Sequence, residues 1–173
     1  MLISTKGRYA VRVMLTLATH DKNEYVTLDA IAKDQEISEK YLEGIVAVLS
    51  KAGLVEGVRG KGGGYRLSRP AKDYTLFEIL SLCEGSLSPV SCLECKPNPC
   101  ARAGICKTLP VWERLEKTID DFLRGVTLQD ILSEDRSGCP CTSAQKETTT
   151  EKQAEPQKKY PGACSSPAKK AQN

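Results

Sequence analysis

Four thiols stand close together in the segment CLECKPNPCARAGIC, where Cys92, Cys95, Cys100 and Cys106 are spaced C-x2-C-x4-C-x5-C. Deprotonated sulfur is a soft donor suited to zinc or to an iron–sulfur cluster, and the same groups can act as bare redox sensors. A zinc ribbon or finger pairs two C-x2-C knuckles across a longer gap. Here there is one knuckle, and the other two cysteines are spread. Pro97, Pro99 and Gly104 keep the segment irregular, which suits a cluster wrapped by loop backbone. The residue types leave cluster, zinc and bare thiol all open.

A second chemical signal lies upstream in VRGKGGGY, where Arg59 and Lys61 sit among glycines. Glycine lets backbone approach a ligand closely, and an arginine at a hairpin tip suits a narrow minor groove, where negative potential concentrates. Nucleotide-binding loops do not fit. A Walker loop needs Gly-Lys followed by Ser or Thr at a helix start, and a dinucleotide loop must open a helix. Nucleophilic catalysis finds no support either. The chain has one histidine, His20, far from the thiols, so no Cys/His or Ser/His/Asp set can be assembled.

With 173 residues the chain has room for one domain and an appendage. Its net charge of +3 is unevenly placed: residues 1–74 carry +3, residues 75–133 carry −2 and residues 134–173 carry +2. A mildly basic N-terminal half fits a local nucleic-acid patch. The opening MLISTKGRYAVRVMLTLATH has charges interrupting its apolar residues and no small-residue cleavage site, so it fails as a secretory signal. No apolar run approaches the ~20 residues that cross a bilayer. The expected compartment is the cytoplasm, with no membrane partner. Thiols stay reduced there, and eight cysteines then point to metal or redox chemistry over disulfides.

The elements that must position these groups follow from periodicity. In KGRYAVRVMLTLAT, Ala10, Val13, Met14 and Leu17 recur at helical spacing. Thr27 is placed to cap a second helix with Leu28, Ile31 and Ala32 inward, and Ser38 a third with Leu42, Ile45, Val46 and Leu49 inward. Gly53 suits the position just past that third helix. The short gap around Asp34–Ile37 is helix-turn-helix spacing. Leu54, Val55 and Val58, the glycine cluster and then Tyr65–Leu67 read as a hairpin, which directly after a helix-turn-helix is a wing. In such a unit the third helix enters the major groove. Ser38, Lys40, Tyr41 and Glu43 on its first turns, with Arg59 and Lys61 on the wing, are the expected DNA contacts.

Residues 71–133 predict a helix capped by Thr75, with Leu76, Ile79 and Leu80 inward, then the cysteine loop, then a long helix begun by Pro110. Trp112, Leu115, Ile119, Phe122 and Val126 are spaced 3, 4, 3, 4, an apolar seam that needs a partner such as a second copy of the chain. Gly125 is placed to end that helix. Residues 134–173 contain no Leu, Ile, Val or Phe and are expected to be a disordered tail. Cys139, Cys141 and Cys164 fall in that tail, while Cys83 reads as a small core residue. The expected fold is mainly α with a small β-hairpin: a winged helix-turn-helix domain over 1–70 (helix-turn-helix 28–51, wing 54–67), then a cysteine loop and long dimerisation helix over 71–133.

ISTKGRYAVR, ISEKYLEGI, KAGLVEGVRGKGGGYRLSRP and EGSLSPVSC together resemble the IscR-type (Rrf-two family) bacterial winged-helix regulators. The resemblance runs from Met1 to about Leu132. It implies a homodimeric transcription factor that binds a double-stranded DNA operator, with an iron–sulfur cluster on the cysteine loop tuning its affinity. It also implies Arg59 as the minor-groove arginine and the segment near Trp112 as the dimer helix. Cys92, Cys100 and Cys106 match the family's three ligands. Leu109 occupies the place of the usual histidine and cannot bind iron, which leaves Cys95 as the available fourth ligand. Together with the loop's spacing this favours a cluster, of the 2Fe–2S type, over zinc. Some relatives lack a cluster and respond to thiol state or a partner protein, which is the alternative. Gly44 stands where many relatives have a base-reading glutamine.

Overall fold

A computed structural model describes residues 3–21, 23–60 and 62–134; Lys61 and the tail, with its three cysteines, lie outside the described residues. Helix α1 (Thr5–Thr19) starts at Ser4, whose hydroxyl accepts from the Gly7 amide, and buries Ala10, Val13, Met14 and Leu17. Helix α2 (Leu28–Gln35) is capped by Thr27, which accepts from the Ala30 amide, and helix α3 (Glu39–Lys51) buries Leu42, Ile45, Val46 and Leu49. Capping side chains satisfy amides that the first helical turn leaves without partners. Ser38 stands at the N-cap position of α3, but its side chain makes no capping hydrogen bond, so its hydroxyl remains available at the surface. Gly53 follows α3 with φ +74°, the left-handed residue that ends a helix.

Strand β1 (Val55–Val58) pairs antiparallel with β2 (Gly64–Leu67), in register Val55 to Leu67 and Val58 to Gly64. The hairpin is tied back to the entrance of α2: the Val26 amide donates to the Tyr65 carbonyl at 2.9 Å, and the Tyr65 amide donates to the Val26 carbonyl at 2.8 Å. Glycine is required at 64 for this approach, because a Cβ there would run into the Val26 carbonyl. Arg66 pairs with Glu56 at 2.9 Å and stacks over Tyr25 at 4.8 Å. Both strand and loop therefore fix the wing against the helix-turn-helix.

Helix α4 (Leu76–Glu84) is capped by Thr75 and lies against α1, with Ile79 and Leu80 buried. Leu76 is only partly buried and packs with Leu80, Leu87 and Leu123 in a smaller cluster. Helix α5 (Leu109–Gly125) has Pro110 in its first turn and ends at Gly125 as expected. Periodicity did not reveal a separate element beyond that glycine. The chain turns at Val126 and Thr127 and forms a short helix α6 (Leu128–Ser133), closed by a reciprocal capping box between Thr127 and Asp130. Here the Leu76 amide donates to the Val126 carbonyl at 2.9 Å and the Leu128 amide to the Tyr74 carbonyl at 3.0 Å. Leu128 is fully buried in the main core, beside Tyr74 and Ile79.

That cap supports the return of the chain, so its loss is measurable. Thr127→Ala is expected to lower stability by about 1 kcal/mol, read as a reduced urea midpoint at unchanged slope.

Candidate nucleic-acid interface and cysteine loop

Lys40, Tyr41 and Glu43 are all exposed on the first turns of α3, and Arg59 is exposed just past β1. Tyr41 meets the edge of Tyr9 on α1, with centroids 5.9 Å apart and planes at 82°, and Arg12 stacks over Tyr9 at 5.2 Å. Tyr41 is thereby linked through Tyr9 to Arg12 of α1.

Sequence reasoning missed what holds the helix-turn-helix together. Arg12 reaches across from α1 and donates to the Gln35 side chain at 2.6 Å and to its carbonyl at 2.9 Å. The Gln35 amide donates to Thr16 and to Asp34, each at 2.7 Å, and the Thr16 hydroxyl donates to Asp34 at 2.9 Å. Glu36, in the turn itself, adopts φ +54°. Hydrogen bonds from Gln35 and Thr16 hold the Asp34 carboxyl below the usual carboxylate range. Thr16 is a polar residue on the otherwise apolar buried side of α1, and that is the signal in the sequence that could have exposed this network.

The cysteine loop runs from the end of α4 to the start of α5. Its root is fixed: Leu87 is buried with Leu80 and Leu123, and the Ser88 hydroxyl donates to Glu116 of α5 at 2.5 Å. Beyond the root come two 3-10 turns, Ser91–Leu93 and Ala103–Ile105. Cys92 and Cys106 are half-buried, Cys95 and Cys100 exposed, and all four are free thiols. The Thr108 hydroxyl, 3.4 Å from Cys106, holds that thiol below its ordinary range. As a donor set the loop fits a cluster, with four reduced soft ligands on adaptable backbone. Their arrangement is more open than a cluster requires: among the described residues no three His, Cys, Asp or Glu side chains stand close enough to share one ion. Cys83 is half-buried against the main core, where burial pushes its thiol up. His20 is exposed at the end of α1, paired with Glu24 at 3.2 Å.

The apolar seam on α5 divides in two. Trp112, Leu115 and Phe122 are exposed, joined by Val111, and Phe122 reaches 66% exposure. Ile119 turns inward and packs with Leu80, Leu87 and Leu123, and Val126 lies past the helix end in extended backbone. The five-residue seam expected from spacing is thus corrected to an exposed stripe of Val111, Trp112, Leu115 and Phe122. The α4–α5 contact claims Ile119.

Three helices, a turn, and a hairpin pinned to them define a winged helix-turn-helix transcriptional regulator. The chain belongs to the Rrf2 family, whose model, described as iron-dependent transcriptional regulator, matches residues 3–134. A putative HTH-type transcriptional regulator of Neisseria meningitidis is 43% identical over 138 residues, covering 80% of this chain and 92% of that protein. Among solved structures, CymR of B. subtilis, described as the global cysteine regulator, superposes with a TM-score of 0.63 at 36% identity, covering 77% of this chain and 97% of its own. IscR of T. potens gives 0.61 at 37% identity, covering 86% and 94%. These relatives are regulators, which agrees with the lack of a catalytic set in the sequence. No helix among the described residues is long and apolar enough to cross a membrane.

Proposed function

We propose that this protein acts in the cytoplasm as a homodimer on a pseudo-palindromic DNA operator, and that an iron–sulfur cluster on its cysteine loop sets the strength of binding. The observation that carries the reading is the loop's placement. Its root is held on α5 by Leu87 and Ser88, α4 before it packs along α1, and α1 in turn braces the turn leading into α3. Any change in how the loop folds is thereby transmitted toward the recognition helix and, through the exposed stripe of α5, toward a second subunit. A coupling of about 1–3 kcal/mol is enough to switch operator occupancy.

Cys92, Cys95, Cys100 and Cys106 would hold the cluster, of the 2Fe–2S type, with Cys95 standing in for the histidine that Leu109 replaces. A bound cluster supplies a reversible one-electron couple and lability to oxygen or loss of iron. The chain's own groups do the rest. Lys40 and the N-terminal turn of α3 meet phosphates, Ser38, Tyr41 and Glu43 face base edges or backbone, and Arg59 reaches the adjacent minor groove, with Lys61 the other expected DNA contact of the wing. A second reading, in which thiol state or a partner protein replaces the cluster, is favoured by the open arrangement of the four sulfurs and by Leu109.

Gel-shift titration on a duplex selected by the wild-type protein from a random pool tests the DNA-binding part. Arg59→Ala is expected to weaken binding about tenfold, within the range for loss of one good groove contact. Unchanged affinity and sequence preference would remove the wing from the interface.

A further inference from the structure

Gly44 occupies the middle of α3, where glycine is the least favourable residue apart from proline. Glycine inside a helix ordinarily answers to one of two internal needs, and neither applies. Its backbone is not among the positive-φ positions, so no left-handed conformation calls for it. A Cβ built on it would meet nothing within 4 Å, so no neighbouring element packs too closely for a side chain. Nothing among the described residues accounts for the lost helix stability.

The direction in which Gly44 faces supplies the missing partner. At about 100° per residue, it points roughly 150° away from the mean direction of the buried Leu42, Ile45, Val46 and Leu49. It therefore lies on the outermost line of α3, between Lys40 one turn before and Lys51 two turns after, with Ala47 beside it; all four are exposed. We infer that Gly44 sets the depth at which the recognition helix seats in the major groove: the missing side chain lets the α3 backbone come against the base edges, while Lys40 and Lys51 meet phosphates on either side. This rests on α3 being the recognition helix. It makes Gly44 a determinant of specificity through access, since base edges are read only at close range, whereas phosphate attraction acts over a longer one.

The test uses the full-length protein and two substitutions, Gly44→Ala and Gly44→Leu, both of which favour the helix. Each is expected to raise the melting temperature, by roughly 4 °C for alanine. Affinity for the selected operator is expected to fall about tenfold for alanine and about a hundredfold for leucine. Binding to a scrambled duplex at the same salt is expected to stay within about twofold. Stability and specific binding thus move in opposite directions, which damage to the fold cannot produce. Wild-type operator affinity in both variants overturns the inference, and so does an equal loss on operator and scrambled duplex. Lys40→Ala and Tyr41→Ala are measured in parallel. If they weaken operator binding while the Gly44 variants do not, seating depth alone is refuted; if all four are silent, α3 is not the reading helix.

Discussion

Replacing Trp112 and Phe122 together by glutamate is expected to leave the protein monomeric at micromolar concentration and to cut operator affinity by about two orders of magnitude or more. Both side chains lie on the exposed stripe of α5, with Phe122 66% and Trp112 36% exposed. Fully burying an aromatic or aliphatic side chain contributes about 1.5–3 kcal/mol, and two-fold symmetry counts each one twice. With Trp112 already about two-thirds covered within its own subunit and Phe122 about one-third, the four side chains supply roughly 3–6 kcal/mol toward association before its entropic cost, and glutamate reverses the sign of every one. The operator effect follows from geometry, since a dimer presents two recognition helices about 34 Å apart and a monomer engages one half-site. Sedimentation equilibrium gives the oligomeric state, circular dichroism checks that helix content is kept, and fluorescence anisotropy gives the affinity. A double variant that still sediments as a dimer would place the subunit contact elsewhere.

The second large effect concerns the thiols. Wild-type protein purified without oxygen is expected to be brown and to contain iron with acid-labile sulfide, and the variant with Cys92, Cys95, Cys100 and Cys106 all changed to alanine is expected to be colourless with neither. Cys95→Ala alone is the sharper probe. With Leu109 in the position that the IscR-type resemblance gives to a histidine, the loop has no other soft ligand to offer, so this single change is expected to remove most of the bound iron. Operator affinity is expected to differ between loaded and cluster-free wild-type protein by about 5–150-fold, and the quadruple variant should resemble the cluster-free form under both conditions. Stoichiometric zinc in a colourless wild-type preparation would exclude the cluster. Iron retained by the quadruple variant would move the site away from this loop.

Cysteine spacing reveals a donor set, yet it is silent on how far apart the sulfurs rest. That distance depends on backbone torsions through a stretch with two prolines, a glycine and only short 3-10 turns, where no long-range ladder of hydrogen bonds fixes the path. The chemistry of the loop was legible and its shape was not. The recognition face shows the same division. Ser38, Lys40, Tyr41 and Glu43 could be placed on an exposed first turn because the buried positions of α3 repeat at helical spacing. The network from Arg12 and Thr16 to Gln35 and Asp34 joins residues about twenty positions apart, and no local pattern announces it.

Most of what was legible in the sequence is governed by near neighbours, although the Thr127–Asp130 cap of α6 was not read and Ser38 makes no capping bond. Thr27 and Thr75 cap helices through amides three residues on, Gly53 and Gly125 mark helix ends, and the apolar positions of α1 and α3 choose their buried side by periodicity alone. The tertiary structure decided which of several apolar surfaces finds a partner within the chain. Ile119 and Phe122 look alike in the sequence and are separated by less than one helical turn, yet Ile119 meets the cluster around Leu80 while Phe122 is left outside. Leu128 lies beyond Gly125, and a change of direction at Val126 carries it into the main core. Periodicity fixes a side chain's angle around its own helix, whereas burial depends on where the neighbouring helix crosses, and that is set by contacts distant in the chain.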